Sequence, residues 1–268
     1  MLQLSQLVKL MRIALYYRED KIEKEFISSV ESKVLSFGHS LDNKNPEVAI
    51  FIGGDGTFLR AVQHYINDLD KISFVGLHKG HLGFFYNYNE EIIDQLFSDL
   101  ASSNFHKESY RLLEASFNNN LIYAVNEVRI ESPFHSLVCK VHVNNEYLET
   151  FKGNGLVICS SIGSSAYNKS LSGAVVNPSL EVLQLSEIAP INNRVYSSLH
   201  SSLIVDKNSE ITLSAENNNV LVGFDHLVSD ANESPTIKVR LSNKLVNVLY
   251  RSDYSYLGLI HKTFIGEK

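Results

Sequence analysis

The feature that most constrains this sequence is an unbroken apolar run that ends in a cluster of glycines. Val48–Ile52 (VAIFI) is rich in β-branched residues and leads directly into Gly53–Thr57 (GGDGT), after which a helical pattern begins. A short apolar run without polar alternation is typical of a parallel strand covered on both faces. Such a strand delivers its loop to the carboxyl edge of the sheet, where α/β folds bind their ligands.

Predicted strands and helices alternate around this loop. Ile22, Phe26, Val30 and Val34 recur at helical spacing, and Gly38 follows them as a stop signal. The alternation predicts an α/β domain with a parallel sheet over residues 11–105. Its expected elements are strands at Arg12–Tyr17, Val48–Ile52 and Ile72–Val75, and helices at Glu19–Phe37, Thr57–Ile66 and Glu90–Leu100.

The second half of the sequence has a different pattern, which predicts a β-rich, sandwich-like domain over residues 106–250. Short alternating runs from Tyr110 to about Ile158 are separated by asparagine turns, as in an antiparallel meander. A short helix is expected at Leu180–Ala189. The remaining expected strands are Ser202–Val205, Ile211–Ala215, Val220–Phe224, Ile237–Leu241 and Val246–Arg251. A C-terminal segment, residues 251–268, is expected to pack back on the α/β domain.

Charge and cysteine usage limit the classes of partner and compartment. The net charge of −6, from 24 Lys and Arg against 30 Asp and Glu, argues against a nucleic-acid binder. It does not exclude an anionic small molecule, because backbone amides can hold phosphate without lysines. Cys139 and Cys159 match no metal spacing. Met1–Leu10 is too short and interrupted for a membrane span or export signal, so a cytoplasmic protein is expected.

Asp55 is the candidate catalytic residue. Gly53, Gly54 and Gly56 leave the loop amides unobstructed for a phosphate chain, and the following helix directs positive partial charge toward them. A carboxylate in such a loop could accept a proton from an attacking hydroxyl or hold a cation that bridges phosphates. The structural alternative is that Asp55 or Thr57 caps the helix. Neither G-x-x-x-x-G-K-[ST] nor G-x-G-x-x-G occurs here.

Two further segments carry polar groups suited to a nucleotide. Asn126-Glu127 could grip the cis-diol and base of an adenosine, or be two exposed residues at a strand end. Ser160–Ser165 forms a run of small hydroxyls around Gly163, and Tyr167 beyond it could stack on a base; the alternative is a serine-rich turn. His78 and His81 lack a carboxylate or thiolate at metal-binding spacing, so we predict no metal site.

These segments together resemble the NAD kinase family. GGDGT is shared with diacylglycerol-type lipid kinases, but Asn126-Glu127, the segment Ser160–Ala174 (SSIGSSAYNKSLSGA) and Asp225-His226 are similar to later motifs of NAD kinases, in the same order. Gly76–Phe84 (GLHKGHLGF) and Ala189–Val195 (APINNRV) add to the likeness. The resemblance runs from about residue 12 to the C-terminus.

The resemblance implies that ATP, with Mg²⁺ or another divalent cation, phosphorylates the 2′-hydroxyl of the adenosine ribose of NAD to give NADP. Asp55 would be the general base, and the phosphate loop would be Gly53, Gly54, Gly56 and Thr57. It also implies a homodimer or homotetramer, with no nucleic-acid or membrane partner. The implied NAD-binding residues are Asp55, Gly56, Phe84, Asn126, Glu127, Lys152, Asn154, Ser165, Ala166, Tyr167, Ser170, Ala189 and His226.

The sequence also departs from the family pattern. Lys152 and Asn154 stand where the family usually has an arginine and an aspartate, and Ile162 stands in place of a threonine, after the family's proline is lost. Lysine lacks the bidentate geometry of arginine, and an asparagine carries no charge. These departures motivate one alternative, a non-catalytic NAD(P) sensor. A lipid kinase is the other, although it should lack the later motifs and would need a membrane-binding stretch.

Overall fold

The computed structural model describes residues 10–78, 83–86, 88–216, 219–231 and 234–266, which divide into two compact units. Unit 1 comprises the chain up to Ser109 and from Val246 onward, and unit 2 comprises Tyr110–Leu245. The first elements are β1 (Arg12–Tyr17), α1 (Lys24–Ser36), β2 (Ser40–Leu41), β3 (Val48–Ile52), α2 (Asp55–His64), β4 (Ser73–His78), β5 (Tyr88–Asn89), α3 (Ile93–Ser102) and β6 (Phe105–Phe117). There follow β7 (Asn120–Ala124), β8 (Glu127–Glu131), β9 (Leu137–Val143), β10 (Glu146–Gly153), β11 (Gly155–Ser160), α4 (Tyr167–Ser170), β12 (Val182–Ile188), β13 (Leu203–Asp206), β14 (Glu210–Ala215), β15 (Val220–Phe224), β16 (Leu227–Ala231), β17 (Thr236–Arg251) and α5 (Tyr256–Ile260).

Unit 1 is an α/β unit built on a parallel sheet, as predicted. The order β2-β1-β3-β4 continues into the last part of β17, and all these neighbours are parallel. Every residue of β3 is buried, which is the reason for its unbroken apolar sequence. Ile52 pairs with Leu77, so the loops after β3 and β4 leave the same edge of the sheet side by side.

Helix α1 buries the stripe that its sequence predicts. Phe26, Val30 and Val34 belong to the unit 1 core together with residues of β1, β3 and α3. The helix begins at Lys24, five residues after its expected start at Glu19. Its stop signal is confirmed, because Gly38 has a φ of 83°, in the left-handed region that favours glycine.

Unit 2 consists of antiparallel β-sheets, again as predicted. One sheet has the order β13-β12-β11-β8-β15-β16 with antiparallel neighbours throughout. In the second sheet, β10, β9, β14 and the first part of β17 pair in that order, and β6 forms a hairpin with β7. Residues from both sheets form one apolar core, as alternating strand faces require.

The predicted helix at Leu180–Ala189 is wrong, since this segment contains strand β12. Helix-forming leucine, glutamate and glutamine residues do not decide its conformation, because β12 pairs with both β11 and β13. Leu183–Ser186 is buried without interruption, as in an interior strand. The segments expected as two strands at Ile237–Leu241 and Val246–Arg251 are one strand, β17.

Among the residues that the structure describes, no helix is long and apolar enough to cross a membrane.

Candidate active site

Asp55 is the first residue of α2 and lies two positions after Gly53, the glycine at which the loop bends. Gly53 has a φ of 144°, and a Cβ there would meet the Thr57 hydroxyl at 2.5 Å, so glycine is required. Gly54 is the residue before the helix, and no side chain caps α2. The capping interpretation of Asp55 and Thr57 is therefore wrong: the helix begins two residues before its expected start at Thr57, and both residues lie inside it.

The carboxylate of Asp55 is held by backbone amides. It accepts hydrogen bonds from the Phe84 N–H at 2.9 and 3.0 Å and from the Phe85 N–H at 3.2 Å. Burial raises the pKa of Asp55, and this effect exceeds the lowering of the pKa by these amides and by His78. Asp55 is therefore a stronger base than an ordinary aspartate and has a fixed orientation.

Tyr86 explains why glycine stands at positions 76 and 83. A Cβ at Gly76 or Gly83 would overlap atoms of the Tyr86 side chain, whose ring stacks on His78 with 4.4 Å between centroids. Both glycines therefore make room for the segment that carries the amides bound to Asp55. Gly80 and His81 lie outside the described residues. The Phe84 ring packs 6.1 Å from the Tyr256 ring, within the same unit.

In unit 2, Asn126 and Glu127 stand at the beginning of β8 and are both buried. Asp225, in the turn between β15 and β16, accepts hydrogen bonds from the N–H groups of Val125, Asn126 and Glu127 at 2.8, 2.7 and 3.3 Å. The interpretation of the pair as exposed strand-end residues is therefore wrong. A pair of buried polar side chains, carried on a backbone that a third polar side chain holds in place, is typical of a binding site.

Glu127 has an unusual environment for a carboxylate. The Arg129 guanidinium lies 3.9 Å from its Oε1, and Oε2 has no hydrogen-bond partner among the described residues. Burial first, and then the Asp225 carboxylate, raise the pKa of Glu127 to about 8, while Arg129 lowers it. Burial also raises the pKa of Asp225, to about 6, against the lowering by its three amide donors. Glu127 therefore retains its proton to a higher pH than an ordinary glutamate.

The serine-rich segment packs directly on Asn126. Ile162–Ser165 forms a 3₁₀ turn, and a Cβ at Gly163 would overlap the Asn126 carbonyl group. The Ser160 hydroxyl donates to the Val125 carbonyl at 2.6 Å and accepts from the Gly163 N–H at 3.1 Å. The structure therefore places this turn against the Asn126-Glu127 pair.

The next predicted residues lie at the end of the 3₁₀ turn and in helix α4. Ser165, Ala166 and Tyr167 are half-buried and Ser170 is exposed. The Tyr167 hydroxyl donates to Glu131 on β8 at 3.4 Å. Asn168, to which the sequence assigned no role, is buried and receives a hydrogen bond from Ser186 at 2.6 Å, so it anchors α4 to β12.

Lys152, Asn154 and Ala189 come together at a second place in unit 2. The Asn154 N–H donates to the Ile188 carbonyl at 2.9 Å, and the Asn154 side chain is exposed. Lys152 Nζ lies 4.5 Å above the Tyr196 ring. His226 instead follows Asp225 in the turn between β15 and β16. Sequence reasoning assigned no role to Asp225 itself, although the Asp225-His226 motif pointed to this turn.

Replacement of Glu127 by glutamine should change how stability depends on pH. The pKa of Glu127 is about 8 in the folded protein, against an ordinary value of 4.5, so the folded state retains a proton that the unfolded state loses. Its contribution to the free energy of unfolding is complete below pH 4.5 and is lost as pH rises toward 8. We expect urea titrations from pH 4.5 to 8 to show a smaller decline for Glu127→Gln than for the wild type. Parallel pH curves for the two proteins would contradict this assignment.

The glycine–aspartate loop at the end of a parallel strand, in a chain that also has an antiparallel β unit, defines a kinase of the GGDGT class. The ATP-NAD kinase N-terminal domain profile matches residues 9–105, and the ATP-NAD kinase C-terminal domain profile matches residues 125–250. The chain belongs to the NAD kinase family.

Whole-chain comparisons agree with this assignment. The chain is 34% identical to the NAD kinase of Leuconostoc citreum over 262 residues, which cover 96% of this chain and 99% of the relative. It is 33% identical to NAD kinase 1 of Bacillus subtilis over 264 residues, which cover 96% and 99%. Its fold is similar to yeast NADH kinase complexed with NADH (TM-score 0.84, 17% identity, 97% and 89% covered). It is also similar to the Archaeoglobus fulgidus NAD kinase in complex with ATP (TM-score 0.76, 20% identity, 94% and 98% covered).

Proposed function

We propose that this protein is an NAD kinase that transfers the γ-phosphoryl of ATP to the 2′-hydroxyl of the adenosine ribose of NAD, with Asp55 as the general base. The observation that carries the proposal is the Asp55 carboxylate, oriented by two backbone amides at the edge of a parallel sheet. Phosphoryl transfer depends mainly on positioning and charge stabilisation, so a weak base held in one place is sufficient.

Gly54 and Gly56 support a phosphate-binding role for the loop. Both are exposed, neither has a positive φ, and a Cβ on either would meet no atom within 4 Å. Neither packing nor backbone conformation in the protein alone therefore requires glycine at these positions. Close approach of a ligand to the backbone remains as a physical reason for glycine at both positions.

Gly56→Ala should separate function from stability. Because alanine is a better helix former than glycine, we expect the free energy of unfolding to stay unchanged or rise by up to about 1 kcal/mol. NADP formation should fall at least about tenfold, since a methyl group then occupies space needed by a phosphate chain. Urea titration and a coupled assay for NADP measure the two effects. Wild-type activity in a stable Gly56→Ala variant would remove the argument for a phosphate at this glycine.

A divalent cation would accompany the ATP. Among the described residues, no group of three His, Cys, Asp or Glu side chains has the geometry to hold a metal ion. Mg²⁺ commonly binds through substrate phosphates and only one or two carboxylates, and such a mode requires no protein cage. Mg²⁺ bound in this way would neutralise developing charge on the phosphates, while Asp55 accepts the proton of the 2′-hydroxyl.

We propose that unit 2 supplies the groups that recognise NAD. Asn126 and Glu127 would bind the adenosine, because ribose hydroxyls donate well to a carboxylate. Lys152, Asn154, Ser165, Ala166, Tyr167, Ser170, Ala189 and His226 are the further proposed contacts in unit 2, and Asp55, Gly56 and Phe84 are those in unit 1. We also propose a homodimer or homotetramer in the cytoplasm. Buried free thiols at Cys139 and Cys159 support a reducing compartment.

The test is to incubate the purified protein with NAD, MgCl₂ and ATP or polyphosphate and to measure NADP. Formation of NADP that depends on both NAD and the donor is the expected result. Binding of NAD without any NADP formation, by folded protein and with every donor, would instead favour the sensor alternative. A matched reaction with a diacylglycerol in place of NAD distinguishes the lipid-kinase alternative.

A further inference from the structure

We propose that Asp225 is a positioning residue for NAD binding: it fixes the backbone that presents Asn126 and Glu127, and its charge keeps Glu127 protonated until NAD binds. NAD binding to this protein would then release a proton. The inference rests on the proposed role of Glu127 in binding NAD. It adds a residue and a proton linkage that the overall reaction does not require.

The backbone contacts of Asp225 work in both directions. Its carboxylate accepts from three successive N–H groups, Val125 to Glu127, and its own N–H donates to the Glu127 carbonyl at 3.0 Å. Asp225 is 5% exposed and has a φ of 50°, a left-handed conformation that aspartate tolerates better than most residues. The tight β15–β16 turn thereby holds the buried Asp225 carboxylate within hydrogen-bond distance of the backbone amides of Asn126 and Glu127.

Three carboxyl groups, those of Glu127, Glu131 and Asp225, lie near one cation, Arg129. Arg129 on β8 directs Nε to Glu131 at 2.9 Å and NH1 to the Asp225 carbonyl at 2.9 Å, and it lies farther from Glu127. The ionised form of Asp225 is stabilised more than that of Glu127, because three backbone amides donate hydrogen bonds to the Asp225 carboxylate. When two neighbouring buried carboxyl groups cannot both ionise, the proton stays on the group whose ionised form is less stabilised, which here is Glu127.

The titratable groups that β11 and α4 bring near Glu127 do not supply a compensating positive charge. Cys159 of β11 pairs with Glu127 across the sheet, and burial raises the pKa of its thiol. Tyr167 of α4 donates to Glu131, and burial raises its pKa too. His226 follows Asp225 in the turn. The Cys159 thiol and the Tyr167 hydroxyl therefore remain neutral at pH 8, whereas the hydroxyl groups of a ribose would donate to an ionised Glu127 and favour proton loss.

The sign of the linkage follows from these contacts. If the pKa of Glu127 falls when NAD binds, protons leave at any pH between the bound and free values, and affinity rises with pH up to about 8. Asp225→Asn removes the repelling charge, so more Glu127 is already ionised in the free protein and fewer protons leave. The same variant also places an amide NH₂ near backbone donors, and this should weaken NAD binding about tenfold or more.

The experiment is isothermal titration calorimetry of NAD without ATP, at pH 7, in two buffers of different ionisation enthalpy. We expect proton release from the wild type, less release and weaker binding for Asp225→Asn, and no such release for Glu127→Gln. Asp206→Asn is the matched control, since Asp206, the last residue of β13 in unit 2, also accepts from backbone and hydroxyl donors but is exposed. It should bind and release protons like the wild type.

The outcomes decide between the two proposals separately. Wild-type binding without proton release, or release that persists in Glu127→Gln, overturns the inference even if NADP is formed. Wild-type affinity and release in Asp225→Asn overturn the role of Asp225. If Asp225→Asn does not fold, the comparison of Glu127→Gln with the wild type decides the proton linkage. Proton-linked NAD binding without NADP formation leaves the inference intact and contradicts the proposed reaction.

Discussion

Asp55→Asn is expected to reduce NADP formation by about 10²–10⁴-fold, the range typical of the loss of a positioned general base. Asparagine cannot accept the proton of the attacking hydroxyl, and its NH₂ group replaces one of the two oxygens that accept from Phe84 and Phe85 with a donor. The NAD affinity, measured by calorimetry, should change far less than the rate. The wild-type rate should fall as acid protonates Asp55, at a pH above that for an ordinary aspartate, because burial raises its pKa.

Asp99→Asn is the matched control for this substitution. Asp99 is also a buried aspartate of unit 1, where it accepts from the Tyr88 hydroxyl at 2.8 Å and the Asn104 side chain at 3.2 Å. Its loss should lower the free energy of unfolding by about 1–3 kcal/mol and leave the rate per folded molecule unchanged. If Asp55→Asn kept most of its activity, another group would have to be the base.

Gly163→Ala should weaken both the fold of unit 2 and the binding of NAD. The added methyl group would overlap the Asn126 carbonyl, and neither backbone can easily move away. That carbonyl already accepts from the Ser160 N–H at 3.0 Å, and the Gly163 N–H is bound to the Ser160 hydroxyl. Overpacking of this kind lowers the free energy of unfolding by about 1–3 kcal/mol. We expect a comparable loss of stability in urea and an NAD affinity at least about tenfold lower, since Asn126 is displaced.

The control is Gly258→Ala in α5, where the nearest side-chain atom would lie 3.5 Å from the new Cβ, an ordinary contact. This variant should match the wild type in NAD affinity and lose no stability. Equal stability and affinity in Gly163→Ala would show that the turn can relax, and that Asn126 does not depend on close packing against it.

The sequence predicted the elements whose own residues decide their structure. Strand β3 was predictable because each of its residues is apolar and buried, and the loop after it because glycines there have few conformational alternatives. The motif residues were also accessible, because their order along the chain resembles that of a known family. Strand β12 was not predictable, because its conformation depends on pairing with β11 and β13, which are separate in sequence.

By itself, the sequence determined the two architectural classes, the NAD kinase resemblance and the candidate base, Asp55. Only the tertiary structure decided what holds that base, because the amides of Phe84 and Phe85 come from a segment 29 and 30 residues away. The same is true of Asp225, which binds the amides of Val125, Asn126 and Glu127 across about a hundred residues of chain. Hydrogen bonding and burial at such separations depend on how the sheets bring strands together, and they set the protonation of Glu127, which its sequence neighbours do not reveal.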